Sequence, residues 1–355
     1  MYRDCTIGVV VPAYNEESLI ETVIETIPAY VDRIYVVDDG STDDTWSVIR
    51  ESARRVNERA RREGSISVDG ARAVEASGPR DQGVKLQVSE SSHFEPRVCP
   101  IQHERNRGVG GAIKTGYRRA LDDGLDITAV MGGDGQMDPN LLYKFLDPIV
   151  EDRADYTKGN RLLYREYRAE MPRFRFIGNS ILTFLTKIAS GYWKTMDPQN
   201  GYTAISREAL RAVEIDEMYE YYGYCNDLLV KLNTRGQRVA DVAMPAKYDE
   251  AESSITYPTY IWKVSGMLFR NYLWRLHVKH LILDFHPLAL FYYAAVGTVG
   301  LGLTAWLWSL LTAGRVVFLH SISSLLVVLF GILLFLHAMV FDMRESRDKE
   351  IQIRD

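Results

Sequence analysis

Apolar and polar positions come in alternating blocks along the first half of the chain. Thr6 to Val11 is a continuous apolar run of strand length, and Leu19, Ile20, Val23, Ile24 and Ile27 then fall on one helical stripe between Glu16 and Ile27. Arg33 to Val37 is a second strand-like run, followed by a charged helical pattern from Asp43 to about Arg62. Val98 to His103, Gly110 to Leu121 and Ile127 to Met131 repeat the order strand, helix, strand. Strands alternating with helices predict an α/β domain built on a mainly parallel, doubly wound sheet. Between Gly64 and Arg97 the period fails. That stretch, rich in Gly, Ser and charge, reads as a surface insertion, either a hairpin around Val84 to Val88 or disordered chain.

The last third has a different pattern. Pro287 to Leu311 and Val317 to Phe341 are almost uncharged. At ~1.5 Å per residue each is long enough to cross a hydrocarbon layer of roughly 30 Å, with a pair of buried core helices as the alternative. The short link from Thr312 to Val316 makes them a hairpin. Before it, Tyr257, Tyr260, Trp262, Trp274 and His277 are mixed with basic residues, which predicts helices lying in a membrane interface. Lys263, Arg270, Arg275 and Lys279 precede the first span and Arg344, Arg347, Lys349 and Arg354 follow the second, whereas the link has only Arg315. The positive-inside rule then puts both ends in the cytoplasm. The predicted organisation is a cytoplasmic domain over 1–256 with its insertion at 64–97, interface helices over 257–286, a cell-membrane hairpin over 287–341 and a charged cytoplasmic tail over 342–355.

Composition narrows the classes. A net charge of −5 over 355 residues gives no reason to expect nucleic-acid binding. Cys5, Cys99 and Cys225 are odd in number and lack paired spacing, which argues against a disulfide framework or zinc site and fits a reducing compartment. Arg3 and Asp4 before a short strand leave no expectation of a cleavable signal peptide.

The candidate chemistry sits in loops that follow strands, where open α/β sheets bind ligands. Pro12-Ala13-Tyr14-Asn15-Glu16 ends the first strand and Asp38-Asp39-Gly40-Ser41 the second. A carboxylate there can accept from a ribose hydroxyl or a base N–H; a tight turn with an Asx cap is the alternative. Asn106-Arg107-Gly108-Val109-Gly110-Gly111 is neither a P-loop nor a dinucleotide fingerprint, because Ile113 stands where each would need a glycine. It reads as a helix entry whose backbone N–H groups are free to meet an anion, with a plain helix N-terminus as the alternative. Asp134 and Gln136 follow the fourth strand and can share a hard divalent cation with phosphate oxygens, while Asp138 before Pro139 reads as an N-cap.

Val-Pro-Ala-Tyr-Asn-Glu-Glu, Asp-Asp-Gly-Ser and Asn-Arg-Gly-Val-Gly-Gly-Ala, in that order, resemble glycosyltransferase family 2 with the GT-A fold, and within it the polyprenyl-phosphate (dolichyl-phosphate) hexose synthases. The resemblance spans roughly Thr6 to Ser254 apart from the insertion. It implies that Pro12, Tyr14, Glu16, Asp38, Asp39, Ser41, Asn106 and Gly108 hold a nucleotide, UDP or GDP, bearing a hexose. It implies that Asp134 and Gln136 sit at Mg²⁺ or Mn²⁺, and that Arg161 and Arg175 face phosphate groups. Asp227 lies in a more loosely matching segment and would face sugar or acceptor, or be structural. One departure stands out: Gly132 occupies the place of the family's usual first Asp, which leaves the metal fewer protein ligands. The implied reaction is inverting transfer to a polyprenyl phosphate at the membrane. The rivals are a transferase extending a glycan and a silent sugar-nucleotide-binding protein.

Overall fold

The computed structural model describes residues 1–75, 95–164, 173–245, 257–311 and 317–353. Its centre is an eight-stranded sheet of β1 (Ile7–Ala13), β2 (Arg33–Asp38), β3 (Val98–Gln102), β4 (Ile127–Val130), β5 (Tyr156–Asn160), β6 (Thr203–Ser206), β7 (Val239–Ala243) and β8 (Glu350–Ile353). The spatial order is β3-β2-β1-β4-β6-β5-β7-β8. Every strand is parallel to its neighbours except β6, which runs against β4 and β5. The reversal of β6 positions the site: the carboxyl ends of β1, β2, β4 and β5 share an edge with the entry into β6, so residues 197–201 arrive there too.

Both faces of the sheet are covered, which is why the central strand β1 reads as an unbroken apolar run. α1 (Ile20–Thr26), α2 (Thr45–Glu75) and α4 (Leu142–Val150) pack on one face, where Val9 and Val11 of β1 meet Ile24, Ile49 and Phe145. α3 (Val109–Asp122), α6 (Arg207–Ala212) and α7 (Tyr224–Thr234) cover the other, where Val10 meets Ala112, Ile113 and Leu228.

Two elements differ from the sequence reading. α2 continues to Glu75, well past Arg62, so the insertion begins as helix; the expected hairpin around residues 84–88 lies outside the described residues. Ile49, Ala53 and Val56 give α2 its buried stripe, and Arg54 pairs with Glu51 and Glu58 on the outer side. The tail is the second difference. Residues 350–353 return to the domain and extend the sheet as β8, parallel to β7.

Between β7 and β8 lie α5's packing partner α8 (Tyr257–His277), a π-helical turn over Val278–Leu283, and the apolar helices α9 (Pro287–Leu311) and α10 (Val317–Glu345); α5 itself spans Arg173–Ser190. The apolar windows of the last two are only 28% and 17% buried, so most of their apolar surface lies outside the protein's core. Gly302 and Gly331 let their backbones close up: a Cβ on Gly302 would sit 2.6 Å from Val328, and one on Gly331 2.7 Å from Val299. On α8, Trp262, Phe269 and Leu273 form an exposed apolar stripe flanked by exposed Lys263 and Arg270.

Arg275 and Lys279 depart from their expected place. Arg275 is fully buried and forks onto both oxygens of Asp342 (2.9 and 2.8 Å), while Lys279 reaches Glu345 at 2.9 Å and Asn233 at 2.6 Å. They bind α10 to α8 and α7, and so do not present charge to a membrane surface.

Candidate active site

Register brings the first loops together. Ala13 lies beside Asp38, and Asp38 beside Gln102, so the segments following β1, β2 and β3 run side by side. The Asn15 N–H donates to Ser41 Oγ (3.0 Å), Thr42 N donates to Asn15 Oδ1 (2.9 Å), and Glu16 N donates to Thr45 Oγ1 (2.8 Å). Asp38 is wholly buried and accepts from Ser41 N and Gln102 Nε2, both at 3.1 Å. Asp38 and Ser41 thus both take part in the hydrogen bonds of the turn that follows β2. Gly40, with φ +74°, passes so close to Arg105 and Asn106 that a Cβ would lie 2.9 Å from their backbone.

Asp39 works on the glycine-rich loop. Its oxygens accept from Arg107 N (2.9 Å) and Gly108 N (2.8 Å), and His103 Nδ1 lies at 2.7 Å. Gly111 N donates to Glu220 O (2.9 Å), and Ala112 N to Gly108 O. The N–H groups of Arg107, Gly108, Gly111 and Ala112 are thus engaged within the protein, which bears on four of the N–H groups that the helix entry was expected to offer an anion. The glycines serve close packing. A Cβ on Gly108 (φ +86°) would stand 2.5 Å from Glu220 O, which keeps the 219–221 segment against α3.

The loops enclose two adjoining cavities. One, of about 410 Å³, is lined by Tyr14, Glu16, Asp39, Asn106 and Gly108. The other, of about 310 Å³, is lined by Gln136, Arg161, Asn179, Gln199, Asn226 and Tyr260. Pro12, Val109, Gly132, Asp134 and Tyr222 border both. Asp134 thus stands at the junction. Its Oδ1 accepts from Gln136 N (3.1 Å) and lies 2.9 Å from where a Cβ on Gly132 would be, so the carboxylate leans over the glycine. Glu16 faces it: burial first, then Asp134 and Asp43, push the Glu16 carboxyl up to about 7. Two carboxylates and the nearby Gln136 suit a divalent cation with phosphate oxygens completing its shell. Asp138 caps the turn into α4 as expected, accepting from Asn140 N at 2.9 Å.

Arg161 follows β5 and is held by Asp197, in the loop before β6 whose residues 197–202 loosely match the family's acceptor side. Nε and Nη2 donate to the two carboxylate oxygens at 2.7 and 2.9 Å, and the Arg161 N–H adds a third bond at 3.1 Å. Burial works against ionisation of Asp197, yet the Arg161 guanidinium prevails and its pKa lies below the usual carboxylate range. Arg175 is in the first turn of α5, four residues before Asn179; its side chain lies outside the described residues. Asp227 is not among the residues lining either cavity. It accepts from Tyr219 N (2.9 Å) and Asn271 Nδ2 (2.6 Å), contacts that tie α7 to α8, and burial raises its pKa.

Glycosyl transferase family 2 matches the chain over residues 8–72 and 78–213. The chain belongs to that family. A UDP-N-acetylglucosamine–dolichyl-phosphate N-acetylglucosaminyltransferase from Methanococcus voltae is 29% identical over 248 residues, 70% of this chain and 88% of the relative. An undecaprenyl-phosphate mannosyltransferase from Micrococcus luteus is 27% identical over 159 residues, 44% of this chain and 63% of that protein. A solved mycobacterial protein aligns with a TM-score of 0.50 at 20% identity, covering 77% of this chain and 75% of its own, and shares the fold. This glycosyltransferase therefore carries the GT-A fold, and its C-terminal side holds the apolar hairpin and β8.

Proposed function

We propose that this glycosyltransferase moves a hexose from a UDP- or GDP-sugar to a polyprenyl phosphate at the cytoplasmic face of a membrane, inverting the anomeric centre. The observation that carries the proposal is the paired cavity. One end is lined by the Tyr14, Glu16, Asp39 and Asn106 loops, and the other is walled by Tyr260 of the helix that leads towards the apolar hairpin. The acceptors in the names of the two relatives, dolichyl phosphate and undecaprenyl phosphate, support a lipid phosphate.

In this reading Pro12, Tyr14, Glu16, Asp39, Asn106 and Gly108 contact the nucleotide, and Asp38 and Ser41 hold that wall in shape. Asp134, with Gln136 and Glu16 beside it, would hold Mg²⁺ or Mn²⁺. Such a cation supplies charge neutralisation for a departing diphosphate. Arg161, fixed by Asp197, presents a guanidinium fork to the acceptor phosphate, with Arg175 as a second contact from α5. A phosphate oxygen is already an anion at neutral pH. The residues therefore need to align it with the anomeric carbon rather than remove a proton, and no base such as Asp227 is required. The exposed Trp262, Phe269 and Leu273 stripe would lie in the interface and bring the cavity to the lipid.

The test is a transfer assay on membranes holding the full chain, with UDP-N-acetylglucosamine, UDP-glucose or GDP-mannose, polyprenyl phosphate, and Mg²⁺, Mn²⁺ or EDTA. A labelled, β-linked lipid product, lost in Asp134→Ala, is the expected result. Retained configuration would rule out direct displacement. Nucleotide-sugar binding without any lipid product would transfer the assignment to a glycan acceptor or a silent binder.

A further inference from the structure

The cavity lined by Tyr14 and Glu16 also carries an aromatic side chain that the loops after β1, β2 and β3 do not supply. Tyr221 lines that cavity and not its neighbour, and it is 59% exposed. Tyr14, on the same cavity, is 45% exposed. A single open aromatic ring needs no explanation. What sets Tyr221 apart is how firmly it is held open.

Its backbone is fixed on both sides. Tyr219 N donates to Asp227 Oδ2 (2.9 Å), and Tyr224 N donates to Tyr221 O (3.2 Å). Between them Glu220 is tied three ways to the glycine-rich loop and α3. Its carbonyl oxygen accepts from Gly111 N (2.9 Å), and its Oε1 accepts from Arg107 Nη2 and Lys114 Nζ, both at 2.9 Å. Lys114 is buried, and its hydrogen bond is the first cause holding the Glu220 carboxyl below its ordinary pKa. The ring itself rests on the loop: Cδ1 of Tyr221 lies 2.9 Å from where a Cβ on Gly108 would be. Tyr221 is thus seated against Gly108 on one side and open on the rest. A ring held in place beforehand loses little freedom when a ligand covers it.

That surface discriminates among the parts of a nucleotide sugar. The base alone has a flat π face, and stacking on it needs no particular hydrogen-bond pattern, so one ring serves uracil or guanine. A phosphate would meet the negative face of the ring with repulsion. Its place is with Asp134 and Arg161, and there Tyr222, not Tyr221, borders both cavities. From this arrangement we infer that Tyr221 is a stacking platform for the nucleobase and that Glu220 is the positioning residue that keeps it there. The inference rests on the nucleotide reading of this cavity and adds a binding residue from the segment before α7.

The experiment compares purified full-length protein with Tyr221→Leu, which keeps apolar bulk over Gly108 without a flat ring, with Tyr221→Phe and with Glu220→Gln. Each is titrated with UDP and with GDP in Mg²⁺, and with Mg²⁺ pyrophosphate as a probe that has no base. Tyr221→Leu should bind both nucleotides roughly tenfold more weakly, Tyr221→Phe should restore that affinity, and Glu220→Gln should fall between them. Pyrophosphate affinity should be the same throughout, which also shows that each variant is folded. Equal nucleotide affinity in Tyr221→Leu and the wild type overturns the platform while the nucleotide reading stands. So does a parallel loss of nucleotide and pyrophosphate, since the ring would then only shape the loop. A loss in Tyr221→Phe as large as in Tyr221→Leu would assign the contact to the hydroxyl and overturn stacking. If the wild type binds neither UDP nor GDP, the nucleotide reading fails and the platform falls with it.

Discussion

Asp197 is where a single side chain governs the geometry of the cleft. It is fully buried, takes a positive φ of 48°, and gives both oxygens to Arg161. Without it the guanidinium keeps its charge but loses its direction, and misplacement by about 1 Å can cost on the order of a hundredfold in rate. Asp197→Ala should therefore lower transfer by roughly ten- to a hundredfold while free-nucleotide binding stays constant, read by steady-state kinetics beside a nucleotide titration. Full activity would mean that the pair serves folding alone. Glu16 makes a prediction in pH. Its carboxyl is raised from 4.5 to about 7, so between those values the folded chain holds a proton that the unfolded chain has released. Its contribution to stability is then fullest below 4.5 and declines as pH rises through 7. Thermal unfolding at pH 5 and pH 8 without added divalent cation should show that decline, and Glu16→Gln should flatten it.

Among the elements, β8 has the widest reach. Glu350, its first residue, accepts from the backbone N–H groups of Trp193, Lys194 and Thr195 at 2.8, 2.6 and 2.9 Å. Those residues lead directly into Met196, whose N–H donates to Asp241, and then Asp197. A tail residue thus holds the segment that holds Arg161. Removing three charge-assisted bonds from a largely buried site costs about 3 kcal/mol. Glu350→Ala should destabilise the protein by that order in chemical denaturation and lower transfer with it. A variant that loses stability but retains full transfer below its unfolding range would confine Glu350 to a structural role.

For the whole molecule, the hairpin and the sheet constrain each other. α9 leaves the domain and α10 returns to it, closed by the buried Arg275–Asp342 pair and by β8 in the domain's own sheet. If the hairpin spans a membrane, the domain and residues 342–355 must share one side and the 312–316 link must face the other. In a chain with Cys5, Cys99 and Cys225 replaced by Ala, Ala313→Cys and Asp355→Cys should react with an impermeant thiol reagent from opposite faces of sealed vesicles. Reaction of both from one face would exclude the spanning hairpin. The positive-inside argument also shrinks at this scale. Arg275 and Lys279 are neutralised within the protein, leaving exposed Lys263 and Arg270 as the charges before the first span.

What the chain alone determined is what local chemistry can encode. Apolar runs of strand length between helical stripes specified the mainly parallel sheet, because strands buried on both faces show no alternation. The two long uncharged runs specified the hairpin by length, and the ordered loop motifs specified the family. The cleft was legible through Pro12, Tyr14, Glu16, Asp39, Asn106, Asp134 and Arg161, each next to the end of a readable strand or the start of a readable helix. The tertiary structure decided whatever depends on partners distant in sequence. Asp197 reaches Arg161 across 36 residues, Glu350 reaches Thr195 across 155, and Arg275 meets Asp342 across 67. No period or spacing announces such pairs. Whether a charged residue faces water, a partner or a cavity is settled by burial and hydrogen bonding, and these exist only once the chain has folded.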